Sequence, residues 1–429
     1  MDTPSGKRAK ALDAAGDRIS GLPDEVRHHV LSFLPARDAA RTCVLSPRWR
    51  HLWASALRLN VDTKGFTSQA AFVKFVTALL LSRGCTPLDS FCLDANGPDI
   101  YLNDFYDTAS LWICHALRSN VQTLSITDHD RNDAFEEIND FEDDPDAFHI
   151  EHCPFTSSYL KRLHLCGVLI LNCFLKNLFS GCPALEDLDM TNCAIIGTKF
   201  SSGTLKNLSI DFDNFPDCQG YGYEDIVINM PSLVSLHIGA LLGALPSLED
   251  VQSLRTASIC LDVQGAAFSD ACDILGALSN VKNLELLFLC GVNGKYSLGS
   301  DMHLCQVSFT NLTALSISDW CLHDNCKSLL YMLEHSPNLE ELTLKIMEPN
   351  SRKEDEWSCS ISAREKTVTA FNCEKLKKVE IICPRGDRRV GKLVTILLAK
   401  IIFAPEISIK PISGLPWYQY SDKKWTVWS

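Results

Sequence analysis

The sequence predicts an α/β protein in which a short helical segment precedes an irregular solenoid of repeated strand units. Three features of the 429-residue chain support this prediction. A pattern of the form L-x-x-L-x-L recurs along most of the chain, residues 67–82 carry apolar side chains at helical spacing, and residues 22–53 are rich in large apolar side chains. A hydrophobic content of 46% with 22% charged residues is typical of a globular chain with a large core.

The chain begins with a polar leader and continues as a compact helical segment. Residues 1–17 are small, polar and rich in alanine and glycine, and we expect them to be disordered. Residues 18–56 predict three short helices. The first follows Pro23, carries acidic residues in its first turn, which suit the helix dipole, and ends at Pro35. The second is predicted over Arg37–Cys43.

The third predicted helix begins at Ser46, a good capping residue, with Pro47 in its first turn. Trp49, Leu52 and Trp53 have the i, i+3 and i+4 spacing that places side chains on one helix face. Three short helices bury little surface, and a unit of fewer than about 40 residues usually needs outside help to be stable. The surplus apolar side chains therefore form either a private core or a surface for another protein.

Residues 57–372 are predicted to form the solenoid, with an amphipathic helix over residues 67–82. From residue 88 the pattern occurs eleven times, at intervals of 20 to 39 residues. The last apolar positions of each copy alternate as in a short strand. One such unit cannot bury its own apolar edge, so neighbours must stack into a solenoid, as leucine-rich repeats do.

The copies, in chain order, are LDSFCL (88–93), VQTLSI (121–126), LKRLHL (160–165), LEDLDM (185–190), LKNLSI (205–210), LVSLHI (233–238), LRTASI (254–259), LELLFL (284–289), LTALSI (312–317), LEELTL (339–344) and LKKVEI (376–381). The longer intervals indicate inserted loops or a degenerate unit.

The acidity of the chain is concentrated in residues 128–151, which hold 11 acidic residues and one arginine. Without them the chain has 42 acidic and 39 basic residues, a net charge of −3 instead of −13. We predict a solvated loop, with an electrostatic contact to a basic substrate as the alternative. Asp133 stands where a calcium-binding EF-hand loop needs glycine, so we do not expect that site. No generally basic face is evident, and nucleic acid is not an expected partner.

The 19 cysteines and the N-terminal sequence bear on the compartment. No apolar stretch followed by a cleavage site marks a secretory signal, and no run approaches the roughly 20 apolar residues that cross a membrane. We therefore expect no membrane contact and a cytoplasmic or nuclear location, or both. In such compartments cysteines are mostly reduced, and here most of them lie among aliphatic residues, where they pack as small apolar groups.

Residues 18–53, RISGLPDEVRHHVLSFLPARDAARTCVLSPRWRHLW, resemble an F-box of the plant type that precedes leucine-rich repeats. The resemblance implies docking on a Skp-type adaptor, which joins the F-box to a cullin. The residues implied for adaptor contact are Leu22, Pro23, Val30, Leu31, Leu34, Val44, Leu45, Ser46, Trp49 and Trp53. Some of these must instead hold the helices together. Arg27 departs from the family pattern, which usually has leucine or isoleucine there, and we expect it to weaken the docking surface locally.

Residues 373–411 are similar to the FBD segment that ends many plant F-box/leucine-rich-repeat proteins. An L-K-x-V-E-I strand, a turn with glycine, a helix and an I-x-I strand are present, but Arg388–Gly391 replace the usual glutamate before the helix. The segment also suits a cap on the last repeat. Together the resemblances imply a short three-helix F-box, an irregular leucine-rich-repeat solenoid (a horseshoe) and an FBD-like cap, with residues 412–429 as a C-terminal tail.

The sequence predicts no catalytic residues, no metal and no cofactor. GVNGKYSLGS (291–300) lacks the spacing of a phosphate-binding loop, and no nucleophile elbow or H-E-x-x-H helix occurs. Two groups contain possible zinc ligands without the paired spacing of a structural zinc motif. These groups are His149, His152 and Cys153, and Cys321, His323 and Cys326.

The resemblance implies a substrate-recognition subunit of an SCF-type ubiquitin ligase, which binds an adaptor through the F-box and an unknown target protein through the repeats. The alternative is a non-catalytic leucine-rich-repeat scaffold with no role in ubiquitin transfer. A hydrolase is a third hypothesis, and no constellation of residues supports it.

Overall fold

A computed structural model describes most of the chain as two compact units. Its described residues are 21–84, 86–95, 103–128, 155–196, 199–211, 226–239, 245–260, 268–287, 305–318, 323–346, 373–401 and 405–411. The first unit comprises residues 1–169 and 177–185, and the second comprises 170–176 and 186–429. The predicted leader, the acidic loop after Asp128, the glycine-containing stretch 291–300, the first group of possible zinc ligands and the predicted tail lie outside the described residues.

The helices are α1 (Asp24–Leu31), α2 (Ala36–Arg41), α3 (Gln69–Arg83), α4 (Asn103–Arg118), α5 (Asn172–Gly181), α6 (Phe268–Ala277), α7 (His323–Glu334) and α8 (Arg388–Lys400), with short 3₁₀ helices at Thr42–Val44 and Leu52–Ser55. The longer strands, one for each repeat unit, are β1 (Arg58–Asp62), β2 (Ser90–Asp94), β3 (Thr123–Thr127), β4 (Arg162–Cys166), β6 (Asp187–Thr191), β9 (Asn207–Asp211), β11 (Ser235–Ile238), β13 (Thr256–Cys260), β14 (Asn283–Leu287), β15 (Ala314–Ser318), β16 (Glu341–Lys345), β17 (Lys378–Cys383) and β18 (Glu406–Pro411). Short strands in the connections are β5 (Leu169–Leu171), β7 (Ala194–Ile196), β8 (Lys199–Ser201), β10 (Val227–Asn229) and β12 (Ser247–Asp250).

In the first unit, β1, β2, β3 and β4 form a parallel ladder in which each strand pairs with the next one along the chain. The helix predicted over residues 67–82 is α3. Its N-terminus is capped by Ser68, whose hydroxyl accepts a hydrogen bond from the amide of Ala71 at 3.3 Å. It ends at Gly84, which has a φ of +59° that favours glycine.

In the second unit, a longer parallel ladder runs β6-β9-β11-β13-β14-β15-β16-β17-β18. Neighbouring strands stay in register, so that Leu284 of β14 lies beside Leu315 of β15 and Leu342 of β16 follows. From β6 to β17, alternate residues of each strand point into the core and are buried, whereas every residue of β18, at the end of the ladder, is half-buried or exposed. The short strands β8, β10 and β12 lie in the connections that precede β9, β11 and β13, and they form a separate small parallel sheet.

The predicted fold class is confirmed, and ten of the eleven patterns place their strand where the structure has it. The exception is LELLFL (284–289). The strand β14 begins earlier, because Val281 occupies the first apolar position and Leu284 and Leu286 are the buried pair. Two of the thirteen longer strands lie outside the eleven copies: β18, the I-x-I strand of the FBD-like segment, and β1, where Ala56 stands in place of the first leucine.

The third helix predicted in residues 18–56 is wrong in type. From Ser46 the chain makes turns with i to i+3 hydrogen bonds, in which the amide of Trp49 donates to the carbonyl of Ser46 at 3.0 Å and the amide of Leu52 donates to that of Trp49 at 3.3 Å. These bonds belong to 3₁₀ geometry, which is tighter than the α-helix. A segment this short has little helical stability of its own, so packing around Trp49 sets its conformation.

Seven of the eleven described free cysteines are buried and support the packing role, whereas Cys173 is exposed. Cys182, Cys260 and Cys383 are buried among apolar residues, and burial raises the pKa of the Cys182 thiol to about 11. Cys272 and Cys305, whose Cα atoms are 5.0 Å apart, form a disulfide that the expectation of reduced cysteines did not include. None of the described helices is long and apolar enough to cross a membrane.

Candidate functional site

The N-terminal segment, residues 21–56, has a small core of its own. Leu31 of α1, Ala39 of α2 and Trp49 are buried together. Leu34, Leu52 and Trp53 pack around them and remain partly exposed. The indole of Trp53 also donates a hydrogen bond to the carbonyl of Arg50 at 3.0 Å. These contacts fix the fold of the segment.

Arg27 is part of this core, with only 1% of its surface exposed. Its guanidinium lies 5.9 Å from the centroid of the Trp49 ring, in the range of a cation–π contact. It forms an ion pair with Asp24 and donates a hydrogen bond to the carbonyl of Arg48 at 3.4 Å. Burial, followed by the charge of Arg48, lowers the pKa of Arg27. The side chain of Arg27 therefore points into the core and adds no charge to the exposed surface of the segment, and its effect on adaptor binding stays a prediction.

The segment is anchored to the first repeat. Arg83, at the end of α3, donates a hydrogen bond to the carbonyl of Trp53 at 3.2 Å, and burial lowers the pKa of Arg83 to about 10. The guanidinium of Arg37 lies 4.7 Å from the ring centroid of Phe66. Pro35 forms an isolated parallel bridge with Asn60 of β1. The first repeat thus supplies the outside help that a small helical unit needs.

Two exposed apolar features remain on the segment after its core is filled. The first, the α1 stripe, consists of Pro23, Val26, Val30 and Phe33, whose spacing places them along one side of α1. Phe33 is 69% exposed. The second feature, the Val44–Leu45 pair, follows α2, and Val44 is 83% exposed. Exposed apolar groups of this size are typical of surfaces that bind other proteins.

The structure divides the ten residues predicted for adaptor contact into three groups. Exposed residues are Pro23, Val30, Val44 and Leu45; partly exposed residues are Leu22, Leu34, Ser46 and Trp53; buried residues are Leu31 and Trp49. The buried pair belongs to the core, which the sequence alone does not separate from the surface. The prediction omitted Val26 and Phe33, although their spacing from Pro23 and Val30 along α1 was visible in the sequence.

A further surface, which is polar, lies on the repeat strands of the second unit, opposite their buried apolar side chains. Its centre is Glu285 of β14, which accepts hydrogen bonds from Lys345 at 2.5 Å and from Ser258 at 2.8 Å. Nearby, the imidazole Nε2 of His237 lies 3.7 Å from a carboxylate oxygen of Asp211. Burial alone would raise the pKa of Glu285, but the charge and hydrogen bond of Lys345, with the bond from Ser258, hold it below its ordinary value.

The possible zinc ligands of the sequence fall only in part within the described residues. Within the described ranges, no group of three or more histidine, cysteine or acidic side chains is positioned to hold a metal ion. Of the second group of possible zinc ligands, Cys326 is buried in α7. The two surfaces described offer apolar contact in the N-terminal segment and paired charges on the strands.

Comparison with known proteins identifies two domains. The family described as "At1g61320/AtMIF1, LRR domain" matches residues 139–401, more than half of the chain. The F-box domain matches residues 19–59.

Similar proteins of Arabidopsis thaliana extend over most of the chain. F-box/LRR-repeat protein At3g58940 is 25% identical over 427 residues, which cover 88% of this chain and 62% of that protein. F-box/LRR-repeat protein At3g58930 is 25% identical over 92% of this chain and 90% of its own length. F-box/FBD/LRR-repeat protein At4g26340 is 27% identical over 88% of this chain and 89% of its own length. The chain thus spans less than two thirds of the first of these relatives and most of the other two.

Proposed function

The chain belongs to the leucine-rich-repeat family described as At1g61320/AtMIF1, LRR domain, and carries an F-box domain, and on this premise we propose that it is the substrate-recognition subunit of an SCF-type cullin ubiquitin ligase. In this proposal the F-box binds a Skp-type adaptor and, through it, a cullin. The repeats bind a target protein. The chain acts in the cytoplasm, the nucleus or both.

The observation that carries the proposal is the exposure of the α1 stripe and the Val44–Leu45 pair on a segment whose core is already complete. Leaving a valine, leucine or phenylalanine side chain in water forgoes roughly 1.5–3 kcal/mol relative to burying it. Arg27, Leu31 and Trp49 hold the segment in shape from inside. The exposed groups are therefore available as the apolar anchors of an interface.

The chain performs no bond chemistry in this proposal. By holding the target beside the ubiquitin-transfer machinery it raises the effective concentration of the target's lysines. The parallel ladder suits this task, because each strand adds outward-facing side chains at a fixed spacing of about 4.8 Å. The FBD-like segment, residues 373–411, would then close the last repeat.

The test is co-elution of the purified chain with a purified Skp-type adaptor in size-exclusion chromatography, with affinity measured by calorimetry. We expect a complex with the wild-type chain. The double variant Val44→Asp/Leu45→Asp should bind at least tenfold more weakly, because it places two charges where apolar contact is needed. Leu111→Asp is the control, since Leu111, on α4 outside the F-box, has an exposed fraction between those of Leu45 and Val44. It should bind as the wild type does.

Two outcomes would contradict the proposal. If the wild-type chain forms no complex with the adaptor, the scaffold alternative is favoured. If Val44→Asp/Leu45→Asp binds with unchanged affinity, the docking surface lies elsewhere. Circular dichroism of each variant shows whether its fold is intact.

A further inference from the structure

In the second unit, the residues just before the repeat strands from β6 to β17, one for each strand, form a row that we name the lead row. Its members are Glu186, Lys206, Val234, Arg255, Lys282, Thr313, Glu340 and Lys377. Backbone hydrogen bonds join successive members: the amide of Arg255 donates to the carbonyl of Val234 at 2.9 Å, and the amide of Lys282 donates to that of Arg255 at 2.8 Å. The row is therefore as regular as the ladder that it precedes.

The charges of the lead row cancel at both ends and do not cancel in the middle. Lys206 forms an ion pair with Glu186 at 2.7 Å, and Glu340 forms one with Lys377 at 2.6 Å. Between these pairs, the side chains of Arg255 and Lys282 are exposed. Apart from their backbone hydrogen bonds, the side chains of these two residues make no hydrogen bond or ion pair with any residue that the structure describes. Two cations on neighbouring strands thus remain available to an outside anion.

These two cations line a shallow open cavity of about 720 Å³, the basic pocket. Lys206, which is paired with Glu186, also lines it, and among the residues that the structure describes no acidic side chain does. Gln252, Asn280 and Asn311 contribute side-chain amides, which are hydrogen-bond donors without charge. The pocket therefore offers positive charge and neutral donors together, on a chain whose net charge is −13.

We propose that the basic pocket binds an acidic segment of the target protein through its aspartate or glutamate carboxylates. This inference rests on the proposed function and names the chemistry of the target. The backbones of neighbouring strands, and so of Arg255 and Lys282, are about 4.8 Å apart. Side chains on one face of an extended peptide recur about every 6.6 Å. The long side chains of arginine and lysine can span this difference in spacing. The guanidinium of Arg255 can bind a carboxylate through two parallel hydrogen bonds.

The shape and the charge of the pocket support a peptide over a small molecule. An open cavity does not enclose a small ligand, whereas a peptide crosses such a surface and gains contacts along its length. Outside residues 128–151 the chain is close to neutral, with 42 acidic and 39 basic residues, so a local basic site decides where an acidic partner binds. Local complementarity of this kind favours specificity and association rate.

The test uses the full chain in complex with the adaptor and a fluorescein-labelled peptide of six glutamates flanked by Gly-Ser, followed by fluorescence anisotropy at low salt. We expect saturable binding, which weakens as sodium chloride increases. Arg255→Glu/Lys282→Glu should bind at least tenfold more weakly. The matched control is Lys199→Glu/Arg385→Glu, which makes the same change in charge at exposed positions that do not line the pocket.

The proposal is overturned if the pocket variant binds the peptide as tightly as the wild type, or if the control variant loses as much affinity as the pocket variant. It is also overturned if only a peptide with phosphoserine in place of glutamate binds. The adaptor complex should form equally well in both double variants. A failure of peptide binding with an intact adaptor complex would contradict this inference alone, whereas a missing adaptor complex would contradict the proposed function.

Discussion

The N-terminal segment and the repeat strands of the second unit use the same apolar residues in opposite ways. Leu45 of the segment is 56% exposed, whereas Leu286 of β14 is fully buried. Each repeat strand from β9 to β17 has a neighbour on both sides, so its inward side chains are covered by the ladder itself, whereas β18 pairs, among the described strands, only with β17 and leaves Ile409 56% exposed. The short helices of the segment have only the small core around Trp49, and this core cannot cover them all. Burial therefore follows from the number of neighbours and not from residue type.

The largest expected effect separates two aromatic residues of the segment. Trp49→Ala should lower the free energy of unfolding by about 3–5 kcal/mol, because it empties the core and removes the cation–π contact with Arg27. Phe33→Ala removes an exposed ring and should cost no more than about 0.5 kcal/mol. Urea denaturation followed by far-ultraviolet circular dichroism measures both. Equal losses in the two variants would show that the exposed and buried roles are misassigned.

The same substitution at two leucines tests the comparison directly. Leu286→Ala should cost about 2–5 kcal/mol, because it leaves a cavity inside the ladder. Leu45→Ala should change the unfolding free energy by no more than about 0.5 kcal/mol while it weakens adaptor binding. Thermal denaturation and adaptor calorimetry report the two effects separately. A large loss of stability at Leu45 would mean that the Val44–Leu45 pair is packed in solution.

The residues that precede α1, in the N-terminal segment, and α8, in the second unit, differ in how they cap the helix. In α8 the carboxylate of Asp387 accepts a hydrogen bond from the amide of Arg389 at 2.8 Å and forms an ion pair with its guanidinium. In α1 the corresponding position is Pro23, which makes no capping hydrogen bond. Asp387→Ala should therefore cost about 1 kcal/mol, and Pro23→Ala should cost less. Chemical denaturation of both variants measures the difference, and an equal cost would contradict it.

The smallest expected effect concerns pH and the polar surface of the strands. Burial would raise the pKa of Glu285, but Lys345 and Ser258 lower it overall. A carboxylate with a lowered pKa stabilises the fold above its unfolded value, about 4.3, and that stability is lost as pH falls through the folded value. Glu285→Gln should therefore lower stability at pH 7 and show a smaller further loss below pH 4.3. Glu341→Gln, at an exposed position on β16, is the control and should lose stability with acid as the wild type does.

The repeats were predictable from sequence because their signal is local. Each strand carries alternating apolar residues, and a leucine three positions earlier marks its start. The prediction misplaced β14 because a run of leucines around Leu286 fits the pattern in two registers, and only stacking on β13 and β15 selects one. It missed β1 because Ala56 is too small to match the pattern, although it is buried as the leucines are.

The candidate site was less predictable, because exposure depends on which side chains fill a core. Leu31 and Phe33 lie two residues apart at the end of α1, and only the packing of Leu31 against Trp49 decides which one is exposed. Charged residues are usually exposed, but Arg27 is buried, because Asp24 supplies its counter-charge and the ring of Trp49 supplies an apolar contact. Such compensation involves residues 3 and 22 positions away, which a local pattern does not include.

The contact between Arg83 and the carbonyl of Trp53 has a consequence for cooperativity. It crosses from α3 to the last turn of the F-box, and the bridge between Pro35 and Asn60 makes a second crossing nearby. Opening of α3 would break the first contact and opening of β1 would break the second, so we expect the N-terminal segment and the first repeat to unfold as one thermodynamic unit. A chain cut after residue 56 would retain the residues of the interface and lose the contacts that keep them in shape.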